Sequence, residues 1–353
     1  MNSYQFFIEL QNSAYRLISF FIMTNAYIKD ISFYVPEKII TNDDLSSMMD
    51  TSDEWISTRT GIKKRHSVGD TNMGPADLAV YASEKLFKKA NITKDEIDFV
   101  VFATSTPDYA IPGAGTVFQH KMGFDKIGVL DIRQGCGGFV YAVSVANQYI
   151  KAKTYSNVLV IGAEVQSTQL DYDDAGRGTA IIFGDGPAAC LLSATEKDHG
   201  ILSTHLHSDG RYIDELSTKF PSSKYKDIIS AKNIQDRQHH IHMNGREVFK
   251  HAVTRFPEVI IEGLEFNNLS IDDVGLVIPH QANYRITQAV QKKLGVSDDK
   301  VFSNIHKYGN TTAASVGIAL TEAIDEGKIN KNDIVVLAAF GAGFYWGSVI
   351  IKW

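Results

Sequence analysis

The feature that most constrains this chain is an internal repeat. From Asp125-Lys126-Ile127 the sequence passes through Cys136 into a helical stretch and then the apolar run 157–163. From Asp299-Lys300-Val301 it passes through Asn310 into a second helical stretch and then the run 333–339. Cys136 and Asn310 stand 174 positions apart, and so do Asp125 and Asp299. Upstream of each copy lies another apolar segment, 97–103 and 274–279, introduced by acidic residues. A repeat this long is far beyond the period of a solenoid, so it predicts one α/β unit copied once.

Within each copy, short β-branched runs alternate with helical periodicity, which predicts sheets covered by helices on both faces. Helices are expected over 76–90, 136–151, 244–264 and 311–324, with Pro257 kinking or splitting the third. No Pro/Ser-rich or low-complexity linker separates the copies, so two halves, 27–197 and 198–353, are expected to pack as one body. The 353 residues suit about two domains.

Residues 1–26 read as an N-terminal extension. Their apolar runs 6–8 and 17–23 are interrupted by Glu9, Gln11, Asn12 and Arg16, short of the roughly 18–20 residues that cross a bilayer, and no small-residue cleavage site follows. Met23 stands directly before the strand-like run 24–31, as a later start would place it; an amphipathic surface helix is the alternative.

Charge and cysteine usage narrow the function class. A net charge of −6 provides no global positive field for nucleic acid, so any polyanionic partner must meet a local patch. Cys136 and Cys190 are the only cysteines; they build neither a disulfide framework nor a structural zinc site, and a reducing cytoplasm is the expected compartment.

Three residues stand where such sheets place ligands, just beyond strand-like runs. Cys136 lies in Asp131-Ile132-Arg133-Gln134-Gly135-Cys136-Gly137-Gly138-Phe139, a strand, a glycine turn and a helix start. That helix N-terminus would stabilise a thiolate and make a nucleophile, the alternative being a small buried cysteine. Cys190, in Ala188-Ala189-Cys190-Leu191-Leu192, reads as inert core. His280 ends a buried run in Val277-Ile278-Pro279-His280-Gln281-Ala282-Asn283. Asn310, in Gly309-Asn310-Thr311, reads first as a helix N-cap. Its pseudo-symmetry with Cys136 would instead bring a thiol and an amide to one central site.

With these residues in view, the sequence resembles the β-ketoacyl-ACP synthase III family of thiolase-superfamily condensing enzymes. The likeness covers about residues 27–353. It rests on Thr51-Ser52-Asp53-Glu54-Trp55-Ile56, Thr58-Arg59-Thr60-Gly61-Ile62, the Cys136 turn, Gly184-Asp185-Gly186, His280-Gln281-Ala282-Asn283, Gly309-Asn310-Thr311 and Phe340-Gly341-Ala342-Gly343, in that order. The resemblance implies a five-layered αβαβα thiolase-like duplication, a homodimer, and decarboxylating condensation of an acyl-CoA primer with malonyl-ACP. It implies no cofactor and no metal. Cys136 would carry the acyl group as a thioester, and His280 and Asn310 would hold the malonyl thioester carbonyl. Backbone N–H groups of Cys136, Gly341 and Gly343 would form the oxyanion hole. Trp55, Arg59 and Arg177 match the family's CoA contacts, and Arg246, Lys250 and Arg285 lie where the family presents basic groups to acyl carrier protein.

Departures bear on the substrate. Glycines 135, 137 and 138 crowd the nucleophile where relatives commonly carry Ala or Ser, and Ile111 takes a position often held by Phe in the acyl pocket; both predict a roomier tunnel admitting longer or branched chains. Arg133-Gln134 is familiar in specialised paralogues. The His239, His240, His242 and His205, His207 groups have no carboxylate or cysteine in sequence to complete a metal site. Gly341-Ala342-Gly343 and Gly113-Ala114-Gly115 do not extend to a dinucleotide fingerprint. Degradative thiolase is disfavoured by the lack of a second cysteine in the C-terminal half. A paralogue passing the acyl group to a non-malonyl acceptor, or a silent heterodimer subunit, are the alternatives that the full Cys/His/Asn set disfavours.

Overall fold

A computed structural model describes residues 24–353. The expectations for the extension therefore lie outside the described residues, save its last three. Asn25 and Ala26 already belong to the first strand, where they pair with Thr195 and Ala194, so the body begins two residues before the expected boundary at 27.

Nine strands build two sheets. In the first half these are β1 (Asn25–Phe33), β2 (Phe99–Ala103), β3 (Gly128–Ile132), β4 (Asn157–Glu164) and β5 (Gly186–Thr195), in spatial order β1-β5-β4-β2-β3. In the second they are β6 (Gly200–Ser208), β7 (Val274–Pro279), β8 (Ile334–Gly341) and β9 (Tyr345–Lys352), in order β6-β9-β8-β7. The two orders are the same once Val301 is included. It makes an isolated parallel bridge to Val277, where the first sheet has the whole of β3. β2 is parallel to β3 and β4, as β7 is to β8, and β4–β5 and β8–β9 are both antiparallel. β2, Phe-Val-Val-Phe-Ala, is buried along its whole length, as a strand covered on both faces must be.

The helices supply three layers: α1 (Asp53–Thr60), α2 (Pro75–Ala90), α3 (Ala114–Met122), α4 (Gly138–Lys151), α5 (Gly245–Phe266), α6 (Tyr284–Leu294) and α7 (Ser315–Asp325). α2 and α3 cover the outer face of the first sheet, α5 and α6 that of the second, and α4 and α7 lie between the sheets. The result is the five-layered αβαβα arrangement. Sequence follows layer. α7 is buried without interruption from Ser315 to Thr321, the mark of a helix enclosed all round, whereas α6 buries only the stripe Ile286, Thr287, Val290 and Leu294.

Pro257 does not split its helix, because α5 runs unbroken from Gly245 to Phe266. A proline in a helix interior costs ~3 kcal/mol. Phe256, Val259, Ile260 and Leu264 are all buried on either side of it, and each contributes about 1.5–3 kcal/mol, so packing against the second sheet wins. Among the described residues no helix is long and apolar enough to cross a membrane.

Candidate active site

The nucleophile candidate sits on a single tight turn. β3 ends at Ile132, the 3-10 turn Gly135–Gly137 follows, and α4 begins at Gly138. Gly135 has φ +48°, a conformation that favours glycine, and it lets Cys136 stand at the helix entrance while only 4% exposed. Burial dominates its chemistry. It pushes the thiol up to about 12, the charge of Glu164 adds to this, and the backbone N–H groups of Cys136 and Ala342 oppose it. The expected thiolate is thus corrected. In the free protein Cys136 is a thiol, since the helix entrance gives less than the desolvation takes.

The second half repeats this design with a slightly different offset. Its 3-10 turn is Thr312–Ala314 and leads into α7, so the positional counterpart of Cys136 is Ala313, not Asn310. Asn310 stands three residues earlier and caps no long helix. Its backbone is clamped on both sides, N–H to the Ile182 carbonyl at 2.9 Å and carbonyl to the Gly184 N–H at 3.0 Å. Its Oδ1 accepts the Thr312 N–H at 2.8 Å, which leaves the amide NH₂ as its outward donor.

His280 follows β7, its N–H bonded to the Ala338 carbonyl at 2.8 Å. The ring is 2% exposed, with Nδ1 against Ser315 Oγ and Nε2 enclosed without a partner. Burial pulls it down to about 3, so the imidazole is neutral at any physiological pH. Cys136, His280 and Asn310 border one cavity of about 200 Å³, whose other walls include Phe183, Val248, Phe249, Ala252, Ile286 and Phe340. The turn of one half and the strand end of the other thereby bring thiol, imidazole and amide together.

The glycine loop after β8 is only partly as expected. Gly341 touches the nucleophile so closely that a Cβ there would lie 2.6 Å from the Cys136 Cβ. Gly343 borders neither cavity at Cys136, and the loop amide that reaches the sulfur belongs to Ala342. Sequence reading missed Ala342 because a backbone N–H leaves no side-chain signature. It also missed Ser315, and Glu164 at the end of β4. That carboxyl is fully buried and receives Ser105 N–H at 3.1 Å, Ser105 Oγ at 3.0 Å and Thr106 Oγ1 at 2.8 Å, while burial raises it to about 7.

Trp55 and Arg59 lie on α1, which Ser52 caps by accepting the Trp55 N–H. Arg59 stacks 4.3 Å and Arg177 5.2 Å from the Trp55 ring centroid. Arg177 also bonds the Asp50 carbonyl. Trp55 packs in one apolar cluster with Ile182 and Phe183, two walls of the cavity. Arg246 and Lys250 on α5 and Arg285 on α6 are exposed on the helix turns that carry Val248, Phe249 and Ile286 to the cavity. Lys250 is paired with Glu247 at 3.1 Å.

Other expectations are corrected. Ile111 is 89% exposed on the β2–α3 loop and borders neither cavity at Cys136 within the single chain, so its place in an acyl pocket stays an expectation. Of the three glycines, only Gly135 lines a cavity at the nucleophile, and a Cβ there would already meet the Ala342 Cβ at 3.4 Å. A Cβ at Gly138 would meet the Ala103 and Ala313 Cβ atoms at 3.0 and 3.2 Å, and Gly137 faces Tyr141 and Tyr345. A carboxylate does join one histidine pair, since Glu262 bonds His205 Nδ1 at 3.2 Å and His207 Nε2 at 2.7 Å. Each ring takes a different oxygen, and among the described residues no group of three His, Cys, Asp or Glu side chains is placed to hold a metal ion.

Comparison with known proteins agrees with this geometry. Residues 130–210 match the family described as 3-oxoacyl-[acyl-carrier-protein (ACP)] synthase III, and residues 264–353 match its C-terminal counterpart. The β-ketoacyl-[acyl-carrier-protein] synthase III of Clostridioides difficile is 43% identical over 330 residues, covering 94% of this chain and 99% of the relative. That of Caldanaerobacter subterraneus subsp. tengcongensis is 42% identical over 325 residues, covering 91% and 95%. The crystal structure of 3-oxoacyl-[acyl-carrier-protein] synthase III from Aquifex aeolicus superposes with a TM-score of 0.85 at 38% identity, covering 93% of this chain and all of that one.

Proposed function

The chain belongs to the β-ketoacyl-[acyl-carrier-protein] synthase III family, and from that premise we propose how its residues divide the reaction between them. The enzyme condenses an acyl-CoA primer with malonyl-ACP, releasing CoA and CO₂ and giving β-ketoacyl-ACP. One observation carries the assignment of roles. His280 Nε2, which lacks a protein partner, and the Asn310 NH₂, whose amide oxygen alone is taken up by the Thr312 N–H, belong to side chains that border the cavity of Cys136.

In the first step the Cys136 sulfur attacks the acyl-CoA carbonyl. The C–S bond to CoA breaks, the acyl–Cys136 thioester forms, and the thiol proton leaves with CoA. The Cys136 and Ala342 N–H groups receive the oxyanion, with Gly341 leaving room for it; one such donor is worth roughly 3–4 kcal/mol of barrier. In the second step malonyl-ACP places its thioester carbonyl on His280 and Asn310. Breaking the C–CO₂⁻ bond leaves an enolate on that oxygen. The enolate carbon attacks acyl–Cys136, and the freed sulfur takes up a proton.

Ser315 Oγ accepts the Gln281 N–H at 3.4 Å and meets Nδ1 of the ring; in the tautomer this scheme uses, the serine hydroxyl donates to Nδ1 and the ring proton lies on Nε2. A neutral ring donates without first losing a charge. Asn310 donates beside it and has no ionisation to manage.

Trp55, Arg59 and Arg177 then hold the CoA nucleotide, a flat indole and two guanidinium groups matching adenine and phosphates. Arg246, Lys250 and Arg285 form the local basic patch for acidic carrier protein that the net charge lacks. The halves 27–197 and 198–353 contribute nucleophile and donors respectively. A homodimer through the open edge of β3 covers Leu130, Tyr109 and Ile111, which are exposed at that edge and on the adjoining loop. Intact-protein mass spectrometry after incubation with acyl-CoAs tests the scheme. One acyl mass on the wild type and none on Cys136→Ala is expected, while Asn310→Ala should load normally and fail to condense. Normal condensation by Asn310→Ala would sink the donor assignment.

A further inference from the structure

Arg65 is the largest fully buried side chain among the described residues, and it carries a charge. Only 2% of it is exposed, and although burial lowers its pKa to about 10, the guanidinium remains a cation at neutral pH. Its hydrogen bonds all go to neutral oxygens. Nη1 donates to the Ile40 carbonyl at 3.3 Å and to Asn42 Oδ1 at 2.8 Å, and Nη2 donates to the Ile181 carbonyl at 2.6 Å. A cation taken into the interior without a carboxylate bonded to it is costly, and what offsets the cost here is the set of segments that its rigid, planar fork of donors ties together.

Two arms leave this fork. The first reaches the donor of the condensation step. Ile181 is followed by Ile182, whose carbonyl takes the Asn310 N–H at 2.9 Å, and Gly184 gives its own N–H to the Asn310 carbonyl at 3.0 Å. The stem of Arg65 lies against the same clamp, since a Cβ on Gly184 would come within 3.0 Å of the Arg65 Cβ and one on Gly309 within 3.4 Å. The second arm runs to α1. Asn42 is 1% exposed, accepts from Arg65, and donates through Nδ2 to Asp53 Oδ1 at 2.7 Å and to the Ile62 carbonyl at 2.8 Å. Asp53 is the first residue of α1, and Ile62 stands two positions beyond its last. One amide therefore straps both ends of the helix that carries Trp55 and Arg59.

We propose that Arg65 is a positioning residue for both half-reactions, because its buried fork fixes the segment that clamps Asn310 and, through Asn42, the helix that presents Trp55 and Arg59. The inference rests on the reading of Asn310 as malonyl donor and of α1 as the acyl-CoA site, and it adds the residue that holds the two in one frame. A lysine at this position keeps the charge and much of the stem but lacks the planar fork that spans Ile181 and Asn42.

The test assays the full-length chain in two stages: loading of Cys136 followed by mass across a range of acyl-CoA concentrations, and single-turnover condensation of the loaded enzyme with malonyl-ACP. Asn42→Ala cuts the α1 arm alone. It should raise the acyl-CoA concentration for half-maximal loading roughly fivefold, the worth of one hydrogen bond, and leave the saturated loading rate and condensation within about twofold. Arg65→Lys should affect loading in the same way and also slow condensation roughly tenfold, less than the roughly 10²–10³-fold that removing a donor outright costs. Arg65→Gln, uncharged and two atoms too short to reach either acceptor, takes its place with the same expected split if the lysine variant fails to fold. None of these changes touches Cys136 or the Ala342 N–H, so a saturated loading rate that falls in step with condensation would mean a general loss of structure and overturn the positioning role. Wild-type condensation by the loaded Arg65 variant, or wild-type half-saturation by Asn42→Ala, also overturns it, while Asn310→Ala that cannot condense and Trp55→Ala that loads poorly would keep those two residues in their roles. If Asn310→Ala condenses normally, the donor reading itself fails and this inference falls with it.

Discussion

Ser315 Oγ meets His280 Nδ1 inside the molecule, joining the first residue of α7 to the residue that follows β7. Both side chains are 2% exposed, so no water competes for either group. The contact orients the ring, whose Nε2 has no protein partner.

Ser315→Ala should therefore act on the second half-reaction alone. Acyl loading of Cys136 is expected to stay within about twofold, while malonyl decarboxylation and condensation fall roughly tenfold, less than the roughly 10²–10³-fold that removing a donor outright costs. The discriminating readout is the split between the half-reactions together with rescue by Ser315→Thr, which restores a hydroxyl. Equal loss in both half-reactions would mean a packing defect and not a positioning role.

The sequence made the three central residues legible because each sits at a chain punctuation mark: Cys136 in a glycine turn, His280 at a strand end, Asn310 beside Gly309. The repeat showed a duplicated α/β unit and the resemblance implied its five layers, although the repeat itself was three residues out of step at Asn310. What escaped has physical reasons. Ala342 acts through its backbone, and Ser315 is one serine among many until α7 places it under His280. The ionisation of Cys136 depends on how deep the turn is buried, which no local pattern encodes. Pro257 is outvoted by apolar neighbours whose burial is decided by the second sheet. The second cavity at Cys136 draws its lining from segments far apart in the chain, among them Ser105, Gln166, Ser217 and Ile241, and only the fold assembles it.

Trp55 lies against two guanidinium groups, Arg59 and Arg177, and such contacts contribute about 0.5–1 kcal/mol each at exposed sites. Trp55→Ala should raise the acyl-CoA concentration for half-maximal loading roughly tenfold while leaving the saturated loading rate unchanged. Stopped-flow loading kinetics at two ionic strengths would separate the indole from the guanidinium groups, since only Arg59→Ala and Arg177→Ala should flatten the salt dependence.

A homodimer through β3 makes a prediction of its own. The strand forms the open edge of the first sheet and exposes 36% of Leu130, with no lysine or proline along it to discourage pairing. Leu130→Lys should shift the molecule toward monomer in sedimentation-velocity runs. A variant that sediments as the wild type does would remove this edge as the interface.

Glu164 gives the pH dependence a sign. Burial raises its carboxyl from 4.5 to about 7, so the folded state holds its proton more tightly than the unfolded chain. Stability from this group is fully present below pH 4.5 and is lost as pH rises through about 7, by at most roughly 3 kcal/mol. His280 slopes the other way, because its lowered value lets the unfolded chain take up protons first as pH falls below 6.5. Comparing wild type with Glu164→Gln cancels the histidine and isolates the carboxyl. The melting temperature of the variant should gain on that of the wild type between pH 5 and pH 8. A difference constant across that range would mean that the Ser105 and Thr106 hydrogen bonds hold Glu164 ionised throughout, outweighing its burial.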